Sequence, residues 1–498
     1  MYTEALLTDL YELTMAAGYL AEGKGDDRAA FDLYFRRTPF RGGYAIAAGL
    51  EDGVRAVLDT RFGDEDIRYL RARRSPGGAR TFPDRFLDFL SRYRFRGDIR
   101  AVAEGTVVFP NEPLVQVAGG LIECQLAETI LLCHLNFQTL VATKAARIWE
   151  AAQHGPVLEF GLRRAQGPDG AESACRAAMI GGADATSNVL AAARLGVPAR
   201  GTHAHSWIQA FPDELEAFRA YARSFPDECT LLVDTYDTLR SGVPNAIRVA
   251  KELEAAGHAL AGIRIDSGDL AFLSIEARDM LDREGLGYVK IVASNELDET
   301  LIADILAQGG RIDIWGVGTN LVTGAGEGGG ALGGIYKMVE HNGEPTIKLS
   351  SNPEKTTNPG LKKIVRFYDR EGLMEADAVA GRDEDLSRGG VWIVDPANPL
   401  RRKKLDSPRR VQLLEPIVES GAPVREFPPL EDIRDRRREQ LAHLHESYKR
   451  LHNPHEYKVG LSIGLWRRKE RMIADIIGNN GGNGRANDRG RDREEGER

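Results

Sequence analysis

Two short stretches carry the residues best suited to chemistry. In ARGTHAHSWIQAF, His203 and His205 stand two apart, and in GIRIDSGDL so do Arg264 and Asp266. Positions i and i+2 of an extended strand share a face. The two histidines could therefore grip a metal together, or one of them could act alone. The same alternation puts Ile263 and Ile265 on one face of a strand and Arg264 and Asp266 on the other. A charged pair aimed into a sheet-lined interior is costly unless it pairs internally or binds a ligand, so the pair reads as functional.

More polar residues follow the same rule of position, each at the end of a short apolar run. They are Arg163-Arg164 after VLEFGL, Thr202 and His205, Asp234 after TLLV, Ser294-Asn295 after VKIVA, and Gly316-Val317-Gly318-Thr319. In parallel α/β folds the carboxyl ends of the strands are where ligands bind. Some of these residues have a plainer reading. Asp234 either acts or caps the next helix. Ser294-Asn295 before ELDE reads as an N-cap with Asp298 at N3, and a lone GxG is weak evidence. The arginines, the Gly-Val-Gly-Thr turn and the Gly-Gly before Ile335-Tyr336-Lys337 suit phosphate. Asp234 and Asp266 suit ribose hydroxyls or a hydrated Mg²⁺. The site thus suggests a phosphorylated sugar with a cation; there is no GxxxxGK[ST] loop.

The elements that must position these residues are strands at 157–162, 199–204, 230–234, 260–266, 289–294 and 311–318. From the second onward they recur about every 30 residues, the length of a βα unit. Helical patterns (PNAIRVAKELEAAG, LAFLSIEARDMLDREG, ELDETLIADILAQGG) fill the gaps, and GGIYKMV offers a seventh strand. Repeated βα units imply a parallel sheet covered by helices, and seven strands favour an irregular (β/α) barrel over an open doubly wound sheet. The expected organisation is an α+β domain over 1–120, the barrel over 121–340, a mixed segment over 341–478 packing back on the first domain, and a disordered tail over 479–498. That tail has five arginines facing five acids and one alanine as its sole apolar residue.

Composition bounds the function. The chain has 498 residues, 42% hydrophobic and 28% charged, with net charge −8. That balance argues against general nucleic-acid binding, which needs a basic footprint, though a locally basic cleft remains compatible with it. Cys124, Cys133, Cys175 and Cys229 are scattered, which fits reduced thiols in a cytoplasmic protein rather than a disulfide framework or zinc site. The opening MYTEALLTDLYELTMAAGYL reads as an amphipathic helix striped by Leu10, Leu13, Ala17 and Leu20, with Asp9 and Glu12 in capping-box spacing. It lacks the basic start and long apolar core of a signal peptide or membrane span.

Ten motifs in order, among them LLTDLYELTMAAGY, FDLYFRRTPFRGGYAIAAGL, EFGLRRAQGPDGA, GTHAHSW, GIRIDSGDL, WGVGTNLVT and KLSSNPEKTTNPG, closely resemble the nicotinate phosphoribosyltransferase family. The resemblance implies an irregular α/β barrel with a second α+β domain built from N- and C-terminal segments. It implies transfer of a phosphoribosyl group from 5-phosphoribosyl-1-pyrophosphate to nicotinate, with Mg²⁺, giving nicotinate mononucleotide for NAD salvage. It further implies coupling to ATP hydrolysis through a phosphohistidine at His205, the histidine of the GTxAHS pattern, with His203 in the variable position. By motif, Tyr11, Thr202 and Arg264 match nicotinate contacts and Thr319 a phosphoribosyl contact. Arg163, Asp234, Asp266 and Gly318 lie in motifs near the same pocket. Tyr11 would reach a neighbouring subunit's site, implying a homodimer. Three alternatives stay open: a nicotinamide-specific relative, a barrel hydrolase holding metal through His203 and His205, and a non-catalytic phosphoribosyl sensor.

Overall fold

A computed structural model of the chain describes residues 3–352 and 355–488, with side chains as far as residue 478. Its centre is a parallel sheet of six strands. Their spatial order is Ala185–Thr186, Val157–Glu159, Ile314–Val317, Lys290–Ala293, Gly262–Ile265 and Thr230–Leu232. Helices Val243–Ala255, Leu270–Arg283 and Glu299–Ala307 fill the connections, as the βα alternation requires. Leu231, Ile263 and Ile291 stand in register across three neighbouring strands and are fully buried. Each such side chain contributes about 1.5–3 kcal/mol by leaving water, which is why these runs are almost purely aliphatic.

Two expected strands do not belong to this sheet. The stretch 199–204 makes a single isolated bridge, Ala199 to Thr186, and runs on irregularly to the helix His205–Gln209. It nevertheless links the two edges of the curled sheet. The Leu232 N–H at the opposite sheet edge donates to Nε2 of His203 at 3.2 Å, so an imidazole supplies the acceptor that a strand carbonyl would have given. GGIYKMV, read as a seventh barrel strand, is instead part of Gly334–His341, which pairs antiparallel with Arg28–Phe35. Its half-exposed burial pattern is that of an antiparallel strand with one solvated face, unlike the doubly covered barrel strands.

The second sheet is antiparallel and assembles distant segments. Its order is Glu344–Pro345, Gly334–His341, Arg28–Phe35, Val115–Gly120, Asp98–Val102, Leu414–Glu419 and Ala422–Pro423. The segment after residue 341 thus lends three strands to the sheet of the N-terminal domain. It also builds a third sheet around Lys362–Tyr368, Met374–Gly381, Val391–Val394 and Val459–Ser462. The long helix Glu128–Ala151 packs against both Leu50–Asp59 and Gly167–Gly181, tying N-terminal domain to barrel.

The first helix, Leu10–Ala21, starts after Asp9 without a side-chain cap. Glu12 is no capping-box partner, because it is buried and bonded to Thr8 and Thr129. The terminal helix Ile463–Asp488 continues into the stretch expected to be a disordered tail; residues 489–498 lie outside the described residues. Among the described residues no helix is long and apolar enough to cross a membrane.

Candidate active site

Strand register decides which side chains meet. Leu232 and Val292 flank Arg264 on its two sides, so the residues just beyond, Asp234, Asp266 and Ser294, emerge together at the carboxyl end of the sheet. Arg264 is clamped there from three directions. Its Nε donates to Ser294 Oγ at 2.7 Å, Nη1 to Thr202 Oγ1 at 3.0 Å and Nη2 to Asp266 Oδ1 at 2.8 Å. Ser294 in turn donates to the same Asp266 oxygen at 2.5 Å. A guanidinium carries five N–H donors; with three engaged, two remain for a ligand. The clamp fixes the plane of the fork before any ligand arrives, which is the arrangement that a bidentate carboxylate partner rewards.

The second half of the cluster turns on Asp234, whose side chain is almost wholly buried while that of His205 remains 41% exposed. Asp234 Oδ2 accepts the Asp266 backbone N–H at 3.0 Å and the Ser267 hydroxyl at 2.6 Å. Its Oδ1 lies 3.3 Å from Nε2 of His205. Asp234 is therefore no helix cap; Asp237 does that work, accepting from the Arg240 N–H. The contact selects the tautomer of His205 with the proton on Nε2, leaving the Nδ1 lone pair free. Next to Asp234, the Thr235 hydroxyl is buried without a partner.

The paired-histidine metal site does not form. His203 is buried, its Nε2 engaged by Leu232, its ring edge-on to Tyr221 at 4.7 Å. Burial pushes its pKa down to about 4, so it is a neutral structural acceptor. With 199–204 irregular, the two imidazoles share no strand face.

Opposite Arg264 the wall is made by the strand Val157–Glu159 and the Phe160–Arg164 segment that continues from it. The Phe160 ring lies 5.6 Å from the Arg264 guanidinium. Gly316 makes room for that ring, since a Cβ there would fall 2.7 Å from it. A Cβ on Gly161 would come within 2.9 Å of the Gly318 carbonyl, so the exposed turn bearing Arg163 abuts the Gly318-Thr319 turn. Glu159 is buried beneath, accepting from the Gly161 N–H and from Thr186 Oγ1 at 2.5 Å; burial raises its pKa.

The structure thus joins Thr202, His205, Asp234, Arg264 and Asp266 by direct hydrogen bonds, with Arg163, Gly318 and Thr319 on the adjoining wall. Tyr11 stands elsewhere, half exposed on the Leu10–Ala21 helix of the N-terminal domain with Glu128 as its partner. Ser294 corrects the sequence reading. The helix Glu299–Ala307 is capped by Asp298, which accepts from Thr300 and Leu301, and Ser294 instead holds Arg264. Glu159 and Phe160 were passed over, although a carboxylate closing an apolar strand was a visible signal.

A polar, arginine-bearing pocket at the carboxyl end of a curled parallel sheet defines an α/β barrel protein built to bind an anionic ligand. Family models agree along the chain: the nicotinate phosphoribosyltransferase N-terminal domain at residues 6–136, the family itself at 156–375 and the C-terminal domain at 361–469. A nicotinate phosphoribosyltransferase from Bacillus subtilis is 44% identical over 95% of this chain and 96% of its own length. One from Dictyostelium discoideum is 40% identical over 96% and 89%. The crystal structure of human nicotinic acid phosphoribosyltransferase superposes with a TM-score of 0.82 at 33% identity, covering 93% of this chain and 99% of that one. The chain belongs to the nicotinate phosphoribosyltransferase family.

Proposed function

We propose that this protein transfers the phosphoribosyl group of 5-phosphoribosyl-1-pyrophosphate to nicotinate, giving nicotinate mononucleotide and pyrophosphate for NAD salvage, and couples the transfer to ATP hydrolysis at His205. The observation that carries the reading is the clamped Arg264 with two donors to spare beside an aromatic ring. The two free N–H groups suit the nicotinate carboxylate, and Phe160 offers a face for the pyridine. The pyridine nitrogen then attacks the anomeric carbon as the C–O bond to pyrophosphate breaks. Arg163 and the Gly318-Thr319 turn are the nearby groups suited to the phosphates. Asp234 and Asp266 suit ribose hydroxyls.

Mg²⁺ would arrive with the pyrophosphate and neutralise its developing charge. The donors fit it as a substrate-borne ion. They are hard carboxylate oxygens, and among the described residues no three His, Cys, Asp or Glu side chains gather into a metal cage. Asp266 has one oxygen outside the Arg264–Ser294 clamp and is the carboxylate placed to meet the ion.

In the coupling step, the Nδ1 lone pair of His205 attacks the γ-phosphorus of ATP, the bond to the bridging oxygen breaks and ADP leaves. Asp234 holds Nε2–H and balances the charge that the ring acquires. Water later releases the phosphate. Leu7, Leu10, Tyr11 and Met15 leave an apolar stripe exposed on the N-terminal segment, which supports a homodimer in which Tyr11 completes the partner's pocket. The four unpaired cysteines support a cytoplasmic location.

The test is to supply Mg²⁺, phosphoribosyl pyrophosphate and ATP with nicotinate, nicotinamide or quinolinate in separate reactions. Mononucleotide and ADP are expected with nicotinate; product with nicotinamide alone would reassign the substrate. His205→Asn should abolish ADP release while slow ATP-independent transfer continues. Undiminished ADP release would remove His205 from the coupling step.

A further inference from the structure

Away from the active site, a second cluster of polar groups is left unsatisfied in the interior. Arg437, on the helix Leu430–Ala442, is 0% exposed. Its Nε, Nη1 and Nη2 have no hydrogen-bond partner. The guanidinium lies 4.3 Å from the centre of the Trp149 ring. Stacking on indole satisfies its face, not its N–H edge. Gly182 allows the approach: at φ 129° it lacks a Cβ that would sit 3.0 Å from Nη2.

The neighbouring groups deepen the imbalance. The Tyr44 hydroxyl, 1% exposed, is also without a partner, as is Nη1 of the buried Arg147. Tyr44 is within electrostatic reach of both arginines and of Glu150 and Glu299. Glu299 is engaged elsewhere, while Glu150 attracts Arg437 without a hydrogen bond to it. Glu299 holds Lys144 at 2.5 Å and Arg147 Nε at 2.9 Å, and Glu150 is approached by Lys449 at 3.8 Å and His154 at 3.6 Å. Arg434 turns to Asp184 at 3.3 Å and Glu431 at 3.7 Å. Burial, then the positive charge of Arg438 and Arg434, lowers the pKa of Arg437 to about 10. The region therefore gathers positive charge and stranded donors, with no acceptor in hydrogen-bond reach of the Arg437 N–H groups or the Tyr44 hydroxyl.

Burying a charged group without a hydrogen-bonded counter-ion is costly, and each stranded donor adds to that cost. Such groups in a native interior call for an ion or water. We propose that this interior binds a halide-sized inorganic anion, chloride under cellular conditions, held by the Arg437 guanidinium edge and the Tyr44 hydroxyl. A net positive surrounding favours an anion over neutral water. Tyr44, Arg147 and Arg437, whose donors are stranded there, come from the N-terminal domain, the long helix and the C-terminal helix, so the anion acts as a structural tie among segments distant in sequence. It takes no part in the transfer reaction.

Crystals soaked in sodium bromide and measured at the bromine edge should show an anomalous peak in contact with Arg437 and Tyr44. Density there without bromine signal would mean water and would overturn the proposal. In solution, the unfolding midpoint should rise with the logarithm of chloride against gluconate at equal ionic strength. Tyr44→Phe should shift that dependence to at least several-fold higher chloride, and Arg437→Met should abolish it. Should Arg437→Met fail to fold, the bromide map and Tyr44→Phe decide. Equal midpoints in chloride and gluconate for the wild-type chain would sink the idea.

Discussion

Two arginine–aspartate pairs in this chain have nearly the same separation and opposite uses. At the barrel mouth Arg264 meets Asp266 at 2.8 Å, with side chains 16% and 28% exposed. In the third sheet Arg366 meets Asp377 at 2.6 Å, both 0% exposed. The inner pair is closed on itself. Arg366 donates to both Asp377 oxygens and to Gln440 and lies over Phe109, while the Tyr457 hydroxyl completes Asp377. The outer pair keeps two guanidinium N–H groups and one carboxylate oxygen unspent and is partly exposed at the barrel mouth. The lesson is that an ion pair's role is set less by its distance than by what it leaves unsatisfied and whether solvent or ligand can reach it. One pair fixes a fold; the other is prepared for a ligand.

Breaking the inner pair should give the larger effect. Arg366→Met would strand Asp377 as a buried, uncompensated charge, and removing one partner of such a pair costs about 3–5 kcal/mol. Urea unfolding should register that loss, while kcat/KM of the folded fraction stays near the wild-type value. The double variant Arg366→Met, Asp377→Leu should recover most of the stability. A single variant as stable as the wild type would show that the inner pair does not hold its sheet. At the mouth the order reverses. Arg264→Lys keeps the charge but loses the planar fork, forfeiting about 3 kcal/mol of ligand binding, roughly 150-fold in kcat/KM for nicotinate. Stability should change by less than about 1 kcal/mol because the site is part-exposed and lysine remains solvated. A stability loss with intact catalysis would exchange the roles assigned to the two pairs.

The sequence disclosed the outer pair and concealed the inner one for a physical reason. Barrel strands are covered on both faces and so appear as uninterrupted aliphatic runs, within which Arg264 and Asp266 stand out by alternation. Arg366 and Asp377 lie on antiparallel strands where polar residues are ordinary, and their opposition depends on the register that sets Arg366 across from Asp377. The same distinction explains the misreadings. Ser294 and Asp298 both satisfy the spacing of a helix cap, and only the position of Arg264 on the next strand separates them. His203 accepts from Leu232 at the far sheet edge, a neighbour 29 residues away, which no local pattern announces. Arg437 sits in the charge run RDRRREQ, and only the fold, which buries it against Trp149, sets it apart from its neighbours.

The smallest effect sharpens the comparison through pH. Glu112 is fully buried beside the inner pair, its Oε2 accepting the Phe109 N–H at 3.0 Å. Burial, and next the Asp377 charge, push its carboxyl well above the ordinary range, whereas Arg366 keeps Asp377 low against its own burial. Burial and the Asp377 charge thus favour the protonated form of Glu112, the form that can donate to Asp377. A group whose folded pKa is raised binds protons more tightly folded than unfolded. Its contribution is complete below about pH 4, the unfolded carboxylate value, and falls as pH rises toward the folded pKa. Asp377 contributes with the opposite sign, losing its share only in acid, so the two residues titrate in separate windows. Glu112→Gln keeps the donor and removes the proton. It should flatten the decline in unfolding free energy as pH rises above the unfolded carboxylate value and leave the variant at least as stable as the wild type in alkaline solution. Catalysis at the mouth should keep its own pH profile. An unchanged slope in this variant would mean that Glu112 is ionised in the native sheet and that the inner pair is less complete than its geometry indicates.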